Sequence, residues 1–82
     1  MIILDGARMD SRAGLHAELK EKLSLPDYYG NNLDALNDCL GELRERPLVV
    51  IENAGAFLEG NEAYGARLLR VFGDNGIQVL LD

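Results

Sequence analysis

The chain has 82 residues, 48% of them hydrophobic, and its eight basic and fourteen acidic side chains give a formal net charge of −6 at neutral pH. This length accommodates one domain, residues 1–82, with a core near the lower limit for independent stability. A protein that neutralises phosphates needs clustered lysines and arginines, whereas the eight basic residues here are scattered along the sequence among fourteen acids. The composition therefore argues against direct nucleic-acid binding and favours a basic protein partner.

The cellular compartment is indicated by the cysteine count and by the apolar runs. The single cysteine, Cys39, excludes an internal disulfide and fits a reducing compartment. The apolar start at residues 1–4 is too short for a signal peptide. No apolar run approaches the roughly 20 residues of a membrane span. We expect a soluble, cytoplasmic protein that is monomeric when free and has no contact with a membrane.

The first strand and the first helix are marked by apolar patterning. Residues 2–4 form a continuous apolar run, which is typical of a strand buried on both faces of a parallel sheet. Leucines four residues apart then predict a helix that Asp10 or Ser11 caps and that ends at about Leu23. Within it, Glu18 and Lys22 have the favourable order for an ion pair one turn apart.

The stretch from residue 25 to residue 39 predicts a turn between two helices. Pro26 ends the first helix, because proline disfavours the α conformation of the residue before it. Gly30 and Asn31 supply the chain reversal, and Asn32 is a good N-cap for the next helix. One face of that helix carries a leucine stripe with Cys39 at its edge, namely Leu33, Leu36, Leu40 and Leu43.

The opposite face of the second helix is acidic. Asp34 and Asp38 lie four residues apart and repel by ~0.2–0.5 kcal/mol on an exposed helix. Tyr28 and Tyr29 precede the tight turn, and the two rings cannot both be comfortably buried in so small a domain. An outward aromatic ring beside outward carboxylates indicates recognition of a cationic group. On the residues alone, an ordinary solvated helix face remains the alternative.

The second half of the chain predicts two more strands and a last helix. Residues 48–51 are apolar and mostly β-branched, so they predict a buried strand after Pro47. The glycine-rich residues 53–60 predict a loop with at most one helical turn. Asn61 is expected to cap a helix over residues 62–72 that ends at Gly73, and residues 77–81 predict the third strand. Three apolar strands separated by helices predict an α/β fold with a small parallel sheet.

No pattern for catalysis is present. The chain lacks a Gly-x-Ser-x-Gly elbow, a phosphate-binding glycine loop and a His-Glu-x-x-His helix. Asp34 and Asp38 on an exposed helix would not form a water-excluding site. His16 has no partner at metal-ligand spacing and is interpreted as a partly buried packing residue. Cys39 has no basic neighbour to activate it. We expect neither an enzyme nor a bound cofactor or metal.

A family resemblance is carried by residues 25–36, which read Leu-Pro-Asp-Tyr-Tyr-Gly-Asn-Asn-Leu-Asp-Ala-Leu, with Asp-Cys-Leu at 38–40. This run resembles the central segment of the barstar family of intracellular ribonuclease inhibitors, and the similarity extends over nearly the whole chain. It implies a three-stranded parallel sheet packed with about three to four helices. It also implies a 1:1 complex with a basic, barnase-like ribonuclease, in an immunity or antitoxin role.

The resemblance also implies a partner-binding surface, made of Tyr28, Gly30, Asn32, Asp34, Asn37, Asp38 and Asp74. Asp38 matches the carboxylate that enters the phosphate-binding site of the enzyme, and Asp34 matches a second acid on the same face. Tyr28 matches an exposed ring that packs on the rim of the cleft, with Gly30 and Asn32 shaping its loop. Asp74 corresponds to an acid at the end of the last helix.

The chain departs from the family pattern at Asn37, where the archetype has a tryptophan. This departure removes a large apolar anchor of the kind that often dominates binding. The resemblance further implies a cis peptide bond between Arg46 and Pro47, and loss or truncation of a short family helix at residues 53–60. The alternative function is that of an acidic interaction module with the same fold and a non-nuclease basic partner.

Overall fold

A computed structural model describes all 82 residues, and it confirms an α/β fold. One three-stranded parallel sheet has the order β1-β2-β3, with strands at Ile2–Asp5 (β1), Val49–Glu52 (β2) and Val79–Leu81 (β3). Three α-helices accompany it, at Arg12–Lys22 (α1), Leu33–Gly41 (α2) and Ala54–Asp74 (α3), and a short 3-10 helix spans Gly6–Arg8. None of the helices has the length and apolar character needed to cross a membrane.

One face of the sheet is buried much more deeply than the other. Ile3 lies beside Val50, and Val50 beside Leu80, in a row across the three strands. Ile3 and Leu80 keep 42% and 45% of their surface exposed, and Val50 is half-buried. The other face points into the core and carries the fully buried side chains of the sheet, namely Leu4, Val49 and Ile51. The prediction that the first strand is buried on both faces was therefore wrong.

The core forms where the leucine stripes of the helices meet the covered face of the sheet. Ser11 caps α1 by accepting a hydrogen bond from the Gly14 amide at 3.1 Å, and the predicted stripe is buried at Leu15 and Leu19. The stripe of α2 is buried at Leu33, Leu36 and Leu40. Full burial of each such side chain stabilises the fold by ~1.5–3 kcal/mol. These contacts leave the acidic side of α2 facing solvent.

The loop predicted at residues 53–60 is instead the first part of α3. Glycine costs ~1 kcal/mol in a helix interior, but Phe57 is fully buried in the core and Ala54 is 5% exposed, which offsets that cost. The helix is interrupted at Glu62, whose φ and ψ are 42° and −117°. Asn61 just before it is not an exposed cap, because it is buried and its amide donates to the carbonyls of Met9 and Phe57.

The end of α3 also differs from the prediction. The helix continues through Gly73 to Asp74, and Gly76, with φ +71°, is the residue in the left-handed conformation. The Ile77 amide donates to the carbonyl of Phe72 at 3.0 Å, which closes the end of the helix. Gly76 rather than Gly73 is therefore the helix-ending glycine.

The peptide bond between Arg46 and Pro47 is trans, so the expectation of a cis bond was wrong. The trans isomer is the lower in energy for bonds that precede proline, by about 0.5–1 kcal/mol. Strand β2 begins two residues after Pro47, and the Leu48 carbonyl already accepts the Ile2 amide at 2.8 Å.

Candidate functional site

The loop before α2 is fixed by its own polar groups. The Asn32 side chain caps α2 by accepting the Ala35 amide at 2.7 Å, and its amide nitrogen donates to the Gly30 carbonyl at 3.1 Å. Asn31 has φ 54°, a left-handed conformation that asparagine tolerates better than most residues. Asn32 thus acts as the predicted N-cap, and it shapes the loop that carries Tyr28 and Gly30.

The two loop tyrosines point in opposite directions. Tyr28 is 83% exposed, whereas Tyr29 is only 5% exposed. The Tyr29 hydroxyl lies 2.6 Å from Nδ1 of His16, and Nε2 of the same histidine lies 2.7 Å from the Tyr64 hydroxyl. The inward ring therefore ties the loop to α1 and α3, which leaves the outward ring available for a partner.

His16 is the buried connection between these three segments. Its neutral ring donates from one nitrogen and accepts at the other, and tyrosine hydroxyls can supply both partners. Burial, aided by the nearby Arg12 guanidinium, lowers the pKa of His16, and burial also raises the pKa of Tyr29. The sequence predicted a partly buried packing residue, but it gave no sign of the two hydroxyl partners.

The outward face of α2 carries the predicted acids. Asp34, Asn37 and Asp38 are all exposed, and Asp34 lies in the first turn, where the helix dipole favours a negative charge. Cys39 at the edge of this face is half-buried, and burial together with Glu42 and Asp38 raises the pKa of its thiol. The thiol is therefore protonated at neutral pH and is a poor nucleophile.

Three depressions beside α2, two of which share Asp34, collect all seven of the predicted partner-binding residues. One of about 220 Å³ is lined by Tyr28, Gly30 and Asp38. A second of about 260 Å³ is lined by Asn32 and Asp34, and a third of about 370 Å³ by Asp34, Asn37 and Asp74. We call this surface the recognition face, defined as Tyr28, Gly30, Asn32, Asp34, Asn37, Asp38 and Asp74. Helix α2 joins its parts, because it supplies residues to each depression.

Sequence reasoning missed the basic and aromatic residues at one side of the recognition face. Arg12, Tyr64 and Arg67 line the second depression, and Arg67 and Arg70 line the third. They come from α1 and α3, far along the chain from the acidic segment. No local pattern links them to it, so only the packing of the helices could place them there.

Comparison with known proteins identifies the family. A family model described as "Barstar (barnase inhibitor)" matches residues 1–79. The chain belongs to the barstar family. It is also similar to a protein of Bacillus subtilis (strain 168) named "Putative ribonuclease inhibitor YrdF", with 50% identity over 50 residues. That match covers 61% of this chain and spans about half, 55%, of the length of the relative.

Membership in the barstar family agrees with the parallel sheet and with the helix that follows the Tyr-Tyr-Gly turn. Within this family member, the recognition face combines exposed acids from α2, an exposed ring from the preceding loop and an acid at the end of α3. The three depressions lie beside the exposed face of α2.

Proposed function

We propose that this barstar-family protein inhibits a basic, barnase-like ribonuclease in the cytoplasm by occupying its active-site cleft in a 1:1 complex. The observation that carries the proposal is the placement of Asp34 and Asp38 on one exposed helix face beside the exposed ring of Tyr28. With a net charge of −6, the whole chain also attracts a basic enzyme.

Asp38 has the chemistry to take the place of a substrate phosphate. A carboxylate presents two oxygens to an arginine fork much as a phosphate does, and such paired hydrogen bonds are strong and directional. Asp38 is exposed at the middle of α2 and shares a depression with Tyr28, so both can enter one cleft together. Asp34 and Asp74 would bind cations nearer the rim.

The loop contributes shape as well as charge. Tyr28 stands free of the core, and the fixed loop geometry set by Asn32 and Tyr29 reduces the entropy lost when a partner binds. Because the backbone of its loop is fixed, the exposed ring of Tyr28 can supply a large contact area at low conformational cost. Asn37 offers a smaller and more polar contact at the centre of the face.

The decisive assay follows RNA hydrolysis by barnase, and by a panel of other small secreted bacterial ribonucleases, while this protein is titrated in. A sharp endpoint at one inhibitor per enzyme, which excess RNA delays, supports occupation of the cleft. An inhibitor in this role should also allow cells to survive expression of the enzyme it silences. A complex that leaves RNA hydrolysis unchanged would instead favour the interaction-module alternative.

A further inference from the structure

Three arginines lie beside the acidic recognition face, and we call Arg12, Arg67 and Arg70 the arginine cluster. The Arg12 guanidinium lies 4.1 Å from the centroid of the Tyr64 ring, and that of Arg67 lies 5.7 Å from it. Both distances are within the range of cation–π attraction. The ring is itself held in place, because its hydroxyl is bound to the buried His16 at 2.7 Å.

No member of the arginine cluster forms an ion pair within the chain. Arg8 and Lys22 form ion pairs with carboxylates, and Arg46 donates to the Leu43 carbonyl. No carboxylate oxygen lies within 4.0 Å of Arg12, Arg67 or Arg70, although Asp34 and Asp74 line the same depressions. The cluster is therefore available to an outside anion.

The cluster lies so close to the acidic residues that a partner bound to them would also meet its positive charge. Arg67 and Asp34 line two depressions together, so a partner that covers Asp34 also comes close to Arg67. A uniformly basic cleft would be repelled by this guanidinium, because like charges brought together at an interface weaken binding. An anion on the partner opposite the cluster would remove this repulsion.

We propose that Arg67, oriented together with Arg12 by Tyr64, binds a carboxylate on the rim of the ribonuclease cleft and so selects among ribonucleases. This inference rests on the proposed function, and it adds a second sign of charge to the recognition face. The acids of α2 bind the cations of the cleft, while the cluster binds one acidic side chain on the rim of that cleft. Arginine suits this task because its planar fork binds a carboxylate through two parallel hydrogen bonds.

The test rests on the sign of the effect. The dissociation constant is measured for the wild-type protein and for Arg67→Gln and Arg67→Glu, with a ribonuclease from the panel that the wild type inhibits. If Arg67 pairs with an acid, both changes weaken binding, Arg67→Gln by about tenfold or more and Arg67→Glu further. If it faces only cations, both changes tighten binding. Arg44→Glu is the matched control, since Arg44 is also exposed but lines neither depression.

A second measurement locates the acid. Each acidic residue on the cleft rim of the inhibited enzyme is changed to lysine, and Arg67→Glu should recover binding to one of these variants by about tenfold or more. Unchanged or tighter binding by Arg67→Glu overturns the inference while leaving the proposed function intact. Failure of the wild-type protein to inhibit any ribonuclease overturns both. Thermal midpoints confirm that the variants are folded, as expected for an exposed side chain.

Discussion

Asn75 donates a hydrogen bond from Nδ2 to Oδ1 of Asn37 at 2.8 Å, and so joins the end of α3 to the middle of α2. The same nitrogen also donates to the Val71 carbonyl at 2.9 Å. The resemblance implies a tryptophan at the position of Asn37 in the family archetype, whereas Asn37 here forms a polar link between two helices. The recognition face is held together at its centre by this link.

Asn37→Trp should tighten the inhibition of barnase. A tryptophan here restores an apolar anchor in the middle of the face, and anchors of this kind contribute ~2 kcal/mol or more in many interfaces. We expect a dissociation constant lower by about tenfold or more, measured by titration of ribonuclease activity. Asn37→Ala is the control, because it also removes the hydrogen bond from Asn75 but adds no ring. Equal gains from both variants would contradict the role of the ring.

We expect Tyr28 to contribute to ribonuclease binding and Tyr29 to the stability of the fold. Tyr28→Ala should leave the free energy of unfolding within ~0.5 kcal/mol of wild type, as is usual for exposed positions, while it weakens ribonuclease inhibition. Tyr29→Phe removes the hydroxyl bound to His16 and should cost ~1–3 kcal/mol, because it leaves a buried nitrogen without its partner. Urea unfolding and inhibition assays on both variants check the division. A stability loss from Tyr28→Ala would show that its ring is structural.

The fold could be predicted from sequence where the pattern is local. The leucine stripe of α2, the Ser11 and Asn32 caps and the outward acids all follow from residue spacing and capping preference. The first part of α3 could not be predicted, because its glycines argue against a helix and only contacts with the rest of the core favour one. Tertiary packing outweighs intrinsic propensity at such positions.

The same distinction applies to the recognition face. Its acids lie within one segment and follow from sequence, whereas the arginine cluster and the Asn37–Asn75 link join residues from separate helices. Even the predicted pair of Glu18 and Lys22 is more than a surface contact. The Glu18 side chain is only 1% exposed, and it also accepts the Asp5 amide at 2.7 Å. Burial of that carboxylate could not be read from helical spacing.

Lys22→Met should destabilise the domain more than Glu18→Gln does. Loss of Lys22 leaves a buried carboxylate without its cation, which is strongly destabilising. Glu18→Gln keeps an acceptor for the Asp5 amide and leaves only the partly exposed ammonium unpaired, which water can solvate. Chemical denaturation at pH 7 compares the two variants. An equal or smaller effect of Lys22→Met would show that the pair contributes little.

The effect of Lys22→Met should also depend on pH. Burial opposes ionisation of Glu18, but the hydrogen bonds from Lys22 and the Asp5 amide hold its pKa below the usual value. A lowered carboxylate pKa stabilises the fold above the unfolded value of about 4.3. That stabilisation is lost as the pH falls through the folded pKa, so the difference between wild type and Lys22→Met should shrink in acid.

His16 should make the domain less stable as the medium becomes mildly acidic. Burial and the Arg12 charge lower the pKa of His16, so the unfolded chain binds a proton at higher pH than the folded one. Stability from the neutral ring is complete above about pH 7 and declines as the pH falls through the unfolded value of about 6.5 towards the folded pKa. The ring is faced by the hydroxyl of Tyr29, from the loop, and by that of Tyr64, from α3.

The measurement is the free energy of unfolding between pH 5 and pH 8 for wild type and His16→Gln. The variant should be less stable at pH 8, because glutamine cannot reproduce both hydrogen bonds at 2.6 and 2.7 Å. Its stability should vary less between pH 7 and pH 5 than that of wild type. Asp5 and Glu18, whose pKa values are also lowered, act in a more acidic range and do not obscure the comparison. Parallel pH curves for the two proteins would contradict the assignment.

Asp38→Ala should weaken the complex mainly by raising its dissociation rate. Its carboxylate would be desolvated against enzyme cations in the cleft, and its removal leaves those cations buried without a partner. Asp74→Asn, at the rim, should instead slow association and weaken its salt dependence, because long-range attraction is screened beyond the ~8–10 Å Debye length. Stopped-flow association and dissociation rates at low and high salt distinguish the two.

The free domain should be equally stable or gain a few tenths of a kcal/mol in Asp38→Ala, since repulsion with Asp34 is removed. Unfolding of the isolated Asp38→Ala protein would make Asp38 a structural residue and remove it from the recognition face.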